Sequence, residues 1–352
     1  MTTSRFSTLA AQTSGTLALG CSVALFAFGW VLPGCGSSEA TAEAAERGAA
    51  SSAANDYAAG LSMAESQRGA AASGEQGEKP SNAAARSTRR HERMVKIPAG
   101  KVLIEGDEQV VDSFWMDQYE VTNRDFEAFV KATGFVTEAE RIGNSVVFYH
   151  HLAAQGEQPF AVVDGAHWRA PTGPGSNVAG KADHPAVHVS WNDAVAYAKW
   201  AGKRLATRAE WVHAASAGAA SKGAEGELYP WGNEIQPARA PMMNSWQGVF
   251  PVDDRGLDGF RGTSPVGAFP PNAFGLYDVA GNVWEWNAER ATVGDGPEDE
   301  LAEKRGGSFL CREEAALGFH ACQGYRIDAY EWSPVINGND NVGFRCVRSA
   351  ED

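Results

Sequence analysis

Between Gly36 and about Arg93 the chain consists mainly of Ala, Ser, Gly, Glu and a few Arg, and Tyr57 is the one aromatic residue in that stretch. Ordering a backbone costs about 1–2 kcal/mol per residue, and a segment so poor in large apolar side chains cannot offset that cost by burial. Residues 36–93 therefore read as a flexible tether, and the part able to fold is 94–352. Ten of the eleven tryptophans lie there. A stretch of that length can be served by one extended core.

The tether follows a second segment that is not part of the fold. From Thr16 to Pro33 the chain carries no charge and is rich in Leu, Ala, Phe and Val, and Arg5 is the only charge before it. This is how an export signal reads. The run closes in Leu32-Pro33-Gly34-Cys35, and a small residue before a cysteine is the pattern processed in bacterial lipoproteins, so Cys35 is a candidate lipidated N-terminus after a signal at 1–35. The alternative is an uncleaved membrane-spanning helix over the same residues. Both place the remainder outside the cytoplasm, and the first makes the chain an exported, membrane-anchored lipoprotein on the periplasmic side of the cell envelope. The net charge of −14 excludes nucleic acid as the expected partner, because phosphate binding needs clustered Lys and Arg. With Cys21 in the signal and Cys35 at the acylation position, Cys311, Cys322 and Cys346 remain, and an oxidising compartment suggests one bridge and one free thiol.

Within the domain, Pro98-Ala99-Gly100 separates two apolar runs in the manner of a hairpin entry, and Phe114 to Val121 alternates as a strand does. Three helices announce themselves by capping boxes: Thr122 with Asp125, Ser190 with Asp193, and Thr207 with Glu210, each followed by an apolar run ending at a glycine. Elsewhere segments such as PTGPGSN, YPWGNE and VDDRGLDGFRGTSP are dominated by Gly, Pro, Asn and Asp. Regular structure is expected to be sparse, and loops that long need ties such as bound ions or buried aromatics.

Seven blocks occur in a characteristic order: MVKIPAG, FWMDQYEVTNRDFEAFV, HPAVHVSWNDAVAYAKWAGKRLATRAEW, LYPWGNE, a long block from Asn244 that ends in GLYDVAGNVWEW, KRGGSFLC and NVGFRC. On these the domain resembles the formylglycine-generating enzyme, or sulfatase-modifying factor, family. The resemblance implies a loop-rich, single-domain α+β fold related to C-type lectin-like domains. It also implies oxidation of a sulfatase cysteine to Cα-formylglycine with O2, which makes an exported sulfatase or other cysteine-containing protein the expected substrate.

Carboxylates and amide oxygens set in irregular backbone are the donors that calcium takes. The resemblance implies two Ca2+ ions, one held by Asn244, Ser245, Asp258 and Phe260, the other by Asp278, Gly281, Val283 and Glu285, with Ser245, Phe260, Gly281 and Val283 acting through carbonyls. Solvated or locally paired carboxylates are the other reading of Asp258 and Glu285.

Active members bind Cu(I) through two cysteine thiolates five residues apart behind a Gly-Gly-Ser turn, as soft-ligand preference dictates. Here Gly306-Gly307-Ser308 is present and Cys311 takes the first position, but Ala316 stands at the second. Arg312 replaces the histidine that follows the first cysteine in the family. Either Cys322, eleven residues on, completes the Cu(I) site with Cys311, or Cys322 pairs with Cys346 and Cys311 is left alone. Ser308 and Trp284 match family active-site positions, as hydrogen-bonding and wall residues.

The His184–His188 spacing is that of a helical metal pair, but Pro185 makes the segment extended and both histidines read as structural. His150-His151 reads as a loop pair. A non-catalytic lectin-like binding lipoprotein that has lost the redox pair is the competing function. A sulfoxide synthase of the related kind would need a helical domain before this fold, and the tether shows no helix periodicity.

Overall fold

The computed structural model describes residues 94–218, 228–237, 240–312, 314–315 and 322–351. The signal, Cys35 and the tether lie outside the described residues. β1 (Met94–Ile97) pairs antiparallel with β4 (Phe114–Asp117), whose other edge takes β13 (Val347–Ser349) from the far end of the chain. Between β1 and β4, β2 (Gly100–Ile104) and β3 (Asp107–Val111) form a hairpin that turns at Glu105-Gly106, both with positive φ. Pro98-Ala99-Gly100 is thus the joint between two sheets. β4 stops at Asp117, short of Val121, because the carbonyls of Asp117 and Gln118 turn to the Arg345 guanidinium and the Val121 N–H donates to Phe344 O.

Five α-helices lie among the described residues, and four begin at a capping box of Thr or Ser with Asp or Glu. α1 (Asn123–Thr133) runs from Thr122 to a left-handed Gly134, as its spacing requires. α4 (Trp191–Trp200) and α5 (Arg208–Ala215) start at Ser190 and Thr207, but their last caps are Ala201 and Ser216, ahead of the expected glycines. α2 (Glu138–Ile142) carries the same signature in Thr137 and Glu140, and was missed because five residues show no periodicity. α3 (His150–Ala154) opens with the two histidines, which are therefore helical and not a loop pair.

β5 (Asn144–Phe148) and β6 (Phe160–Asp164) form a second hairpin. A four-stranded sheet has the order β11-β9-β8-β12, from β8 (Trp284–Thr292), β9 (Glu300–Arg305), β11 (Glu331–Pro334) and β12 (Val342–Gly343). β12 runs parallel to β8, and the β8–β9 register shifts between Trp286 and Arg290. β7 (Val249–Phe250) lies parallel to β10 (Glu314–Ala315). Loops fill the rest, as expected for a loop-rich α+β domain.

The core is aromatic because short elements bury more surface per residue that way. Phe126 of α1 meets Trp168 edge-on at 5.2 Å, and Phe344 at 6.4 Å, while Trp284 and Trp286 of β8 belong to the same cluster. A second cluster, with Phe114, Met116 and Trp211, lies between the three-stranded sheet and α5. Ser190→Ala should lower the unfolding free energy by about 1 kcal/mol and Phe126→Ala by about 3–5 kcal/mol in urea titrations. Equal small losses would show that the aromatic cluster does not anchor the fold.

Candidate functional site

β9 delivers the chain to Gly306-Gly307, both with φ in the left-handed region. A Cβ at Gly307 would stand 2.6 Å from the Tyr325 nitrogen and 3.2 Å from Cys311 Sγ, so the turn needs glycine for space as well as for backbone. Ser308 then closes a tight loop. Its carbonyl accepts from the Cys311 N–H (2.9 Å), and its own N–H points at Cys311 Sγ (3.4 Å). The Ser308 hydroxyl is held by Asn341 Nδ2 (3.1 Å), and the Asn341 Oδ1 is buried without a partner among the described residues.

Cys311 is joined to Cys322, with their Cα atoms 4.8 Å apart, and the Arg312 N–H donates to the Cys322 carbonyl (2.9 Å). Among the described residues Cys346 is the free cysteine; it is fully buried beside Asp117, and burial pushes its thiol well up. Of the two pairings open in the sequence, Cys322 with Cys346 is therefore excluded, and Cys311 is not alone. Cys311 is buried and Cys322 half-buried, so the pair meets solvent on the Cys322 side.

Trp284 forms one wall. A Cβ at Gly324 would overlap its ring and stand 3.1 Å from Cys311 Sγ, so the indole and the sulfur both pack directly on glycine. Buried Lys304 lies 5.5 Å from the Trp284 ring centre and pairs with Glu331 at 3.1 Å. Arg312 rests on the Phe250 ring at 3.6 Å, and burial pulls its guanidinium down to about 10. Tyr325 is buried, with Tyr229 6.0 Å away. Asn341, Gly324, Tyr325 and Lys304 were not singled out in the sequence. The available signals were the Gly-Tyr two residues after Cys322 and the asparagine that opens NVGFRC.

The two oxygen-rich loops assemble as well. Asp258 gathers the first: its carboxylate accepts from the Ser245 N–H (3.0 Å), the Phe260 N–H (3.0 Å) and Gln247 Nε2 (2.7 Å), while Asn244 Nδ2 reaches Gly262 O (2.8 Å). In the second, Asp278 accepts from the Gly267 N–H (2.6 Å), and Asp278, Gly281 and Asn282 all have positive φ. Glu285 is fully engaged: Arg345 Nε reaches both of its oxygens at 2.8 Å, and Trp211 Nε1 donates at 2.9 Å. The locally paired reading thus describes Glu285 here. Glu120, Asp278 and Glu285 are nevertheless three buried carboxylates around one guanidinium among the described residues. Burial and mutual repulsion push Glu120 well up, and burial pushes Asp278 to about 6. Each of the three already accepts from protein donors, and among the described residues no group of three or more His, Cys, Asp or Glu side chains is arranged to hold a metal ion.

His188 is buried in the left-handed conformation with Nδ1 at 2.8 Å from Ser145 Oγ and Nε2 at 2.8 Å from Pro171 O, and burial pulls it down to about 4. His184 Nδ1 lies 3.0 Å from Thr263 Oγ1. Both are structural.

The chain thus presents a loop-rich α+β domain with a joined cysteine pair behind a Gly-Gly-Ser turn, together with two oxygen-lined loops. Residues 79–350 match the "Sulfatase-modifying factor enzyme 1-like domain", and the chain belongs to that family. It is 49% identical over 257 residues to the formylglycine-generating enzyme of Thermomonospora curvata, covering 66% of this chain and 81% of that one. It is also 40% identical over 280 residues to "Inactive C-alpha-formylglycine-generating enzyme 2" of Bos taurus, covering 73% and 88%. The solved structure of PvdO from Pseudomonas aeruginosa aligns with a TM-score of 0.48 and 25% identity, over 73% of this chain and 94% of that one.

Asp340, next to Asn341, donates no proton to its neighbours: Oδ2 accepts from the Phe148 N–H (2.9 Å), and Oδ1 is buried without a partner among the described residues. Burial pushes its carboxyl to about 7. A carboxyl raised above its unfolded value favours folding most below the unfolded pKa, and that contribution is lost as pH rises through the folded pKa. The contribution of this carboxyl should therefore be lost between about pH 4 and pH 7, and Asp340→Asn should remove that part of the pH dependence. Urea titrations across the range check this, and an unchanged pH dependence would refute it.

Proposed function

We propose that the chain oxidises a cysteine of an exported, sulfatase-type polypeptide to Cα-formylglycine with O2. The observation that carries the reading is the meeting of Cys311 with Cys322 in spite of Ala316: the second sulfur is displaced in sequence but present in space. Once reduced, the two thiolates offer the soft donor pair that suits Cu(I), and that ion, when bound, supplies the redox chemistry O2 requires. Ser308, fixed by Asn341, holds the turn that presents Cys311. Trp284 and Gly324 wall the sulfur on one side and leave the half-buried Cys322 as the face a substrate cysteine approaches. Two Ca2+ ions at the loops gathered by Asp258 and Asp278 would tie the irregular backbone beneath the site. Export and lipidation at Cys35 would place the activity at the membrane surface where such substrates pass.

A second reading has one observation in its favour. Ala316 and Arg312 replace a family cysteine and a family histidine, and a relative bearing "inactive" in its name is 40% identical. On that reading the domain binds without oxidising, and the disulfide is structural.

Reduced protein should take up about one Cu(I) per chain and convert a cysteine peptide derived from a sulfatase. Both should vanish in Cys311→Ser and in Cys322→Ser. Retained conversion in Cys322→Ser would remove Cys322 from the site, and absence of copper uptake and conversion in the unaltered protein would favour the binding module.

Calcium should raise stability according to RT ln(1 + [L]/Kd), about 2.7 kcal/mol for one site at a hundredfold excess. Chelator should lower the Tm, and Asp258→Ala together with Asp278→Ala should make the Tm indifferent to chelator. A Tm that ignores chelator in the unaltered protein would end the calcium proposal.

A further inference from the structure

Asn341 fixes two neighbours of the cysteine pair at once. Its Nδ2 holds the Ser308 hydroxyl (3.1 Å) and its carbonyl accepts from the Trp284 N–H (2.9 Å), so the turn that carries Cys311 and the indole that walls it are set from one residue. The segment that delivers Asn341 is gripped from its other side. The His188 N–H donates to the Asn339 carbonyl (2.9 Å), and the Asp340 N–H reaches Val146 O (3.3 Å). The Ser145 hydroxyl of β5 donates to the Gly338 carbonyl (2.5 Å) and also lies 2.8 Å from His188 Nδ1, while His188 Nε2 lies 2.8 Å from Pro171 O. A carbonyl can only accept, so Nε2 carries the ring hydrogen, and the Ser145 hydroxyl stands between two acceptors, the ring and the loop. His188 is wholly buried at φ 58°, a backbone that a bulky residue keeps only where its surroundings hold it. The fit is close, since a Cβ at Gly338 would stand 2.6 Å from the His188 carbonyl carbon.

We propose that His188 and Ser145 are positioning residues of the cysteine site, which fix the Gly338–Asn341 segment and, through Asn341, the place of Cys311 relative to Cys322. The inference rests on the reading of Cys311 and Cys322 as the working pair. Two thiols held in register act on each other at a high effective concentration, and loosening the turn under one of them lowers it. The Cys311–Cys322 bond should then be less favoured against an external thiol, which gives a measure of the clamp that needs no turnover.

The test equilibrates the full chain with glutathione mixtures at a single pH and reads the Cys311–Cys322 bridge by mass mapping. Ser145→Ala removes the hydroxyl, and His188→Asn removes the ring while suiting the left-handed backbone. Each should lower the equilibrium constant for the bridge about fivefold, roughly the worth of one ordinary hydrogen bond. Asn341→Ala should lower it too, and Ser145→Ala added to Asn341→Ala should lower it no further, because the one acts through the other. Val102→Ala trims the other core cluster and should reduce stability while leaving the constant unchanged. An unchanged constant in folded Ser145→Ala overturns the proposal. So do additive losses in the double variant, or an equal loss in Val102→Ala. Should His188→Asn fail to fold, Ser145→Ala and its pairing with Asn341→Ala decide alone. A bridge absent from the oxidised, unaltered protein also overturns the proposal. The expected shifts in a protein that takes up no copper and converts no peptide support the clamp and remove only the oxidation reading.

Discussion

The structure turns on one buried guanidinium. Arg345 is 1% exposed, stands between Phe344 of the aromatic core and buried Cys346, and spreads its donors over Glu285 and the carbonyls of Asp117, Gln118 and Tyr277. Those partners belong to the end of β4 and to the stretch from Tyr277 to Glu285 that enters β8, two places far apart in sequence. A buried charge is tolerated only when it is fully paired and hydrogen-bonded, so the loops that supply the partners are held to the geometry that satisfies it. A domain in which loops outweigh strands gains from this what a long sheet would otherwise provide. The arrangement also leaves an imbalance, because Glu120 and Asp278 share the same buried space with Glu285. Burial pushes both of their carboxyls upward, toward the neutral form, and Glu120 is raised further by its two carboxylate neighbours.

What the sequence disclosed is local chemistry. A Thr or Ser followed three residues later by Asp or Glu is a complete instruction for a helix start, and α1, α4 and α5 obey it. Their ends were less legible, since Ala201 and Ser216 terminate helices without any special backbone, and the glycine that follows is not the cap. Sheet partners were not legible. β13 reaches β4 across almost the whole domain, and no short-range pattern marks that pairing. The candidate site divides the same way. Ser308 could be read from its Gly-Gly turn, but the Asn341 that holds its hydroxyl is 33 residues away, and Glu120 lies 162 residues from the Asn282 that it binds. Side chains that act through such pairs carry no signature of spacing.

The cysteine spacing shows why a motif is an imperfect guide to a site. The family pattern sets the two sulfur-bearing positions five residues apart, and the chain sets Cys311 and Cys322 eleven apart. The entropic cost of closing a loop grows only with the logarithm of its length, about 0.6 kcal/mol for each doubling, so going from five to eleven adds roughly 0.7 kcal/mol. That is small beside the packing that fixes both ends. Cys311 is held by the Ser308 turn and by the Trp246 N–H donating to its carbonyl (2.9 Å), and Cys322 by the Arg312 N–H and by the Gly324-Tyr325 backbone packed on Gly307. With both ends anchored in this way, the length of the connection matters little to where the sulfurs lie. The loss of a cysteine at position 316 is then compatible with an intact pair. The difference from the family falls on position 316, where Ala stands, and on the residues that surround the pair, Arg312 above all.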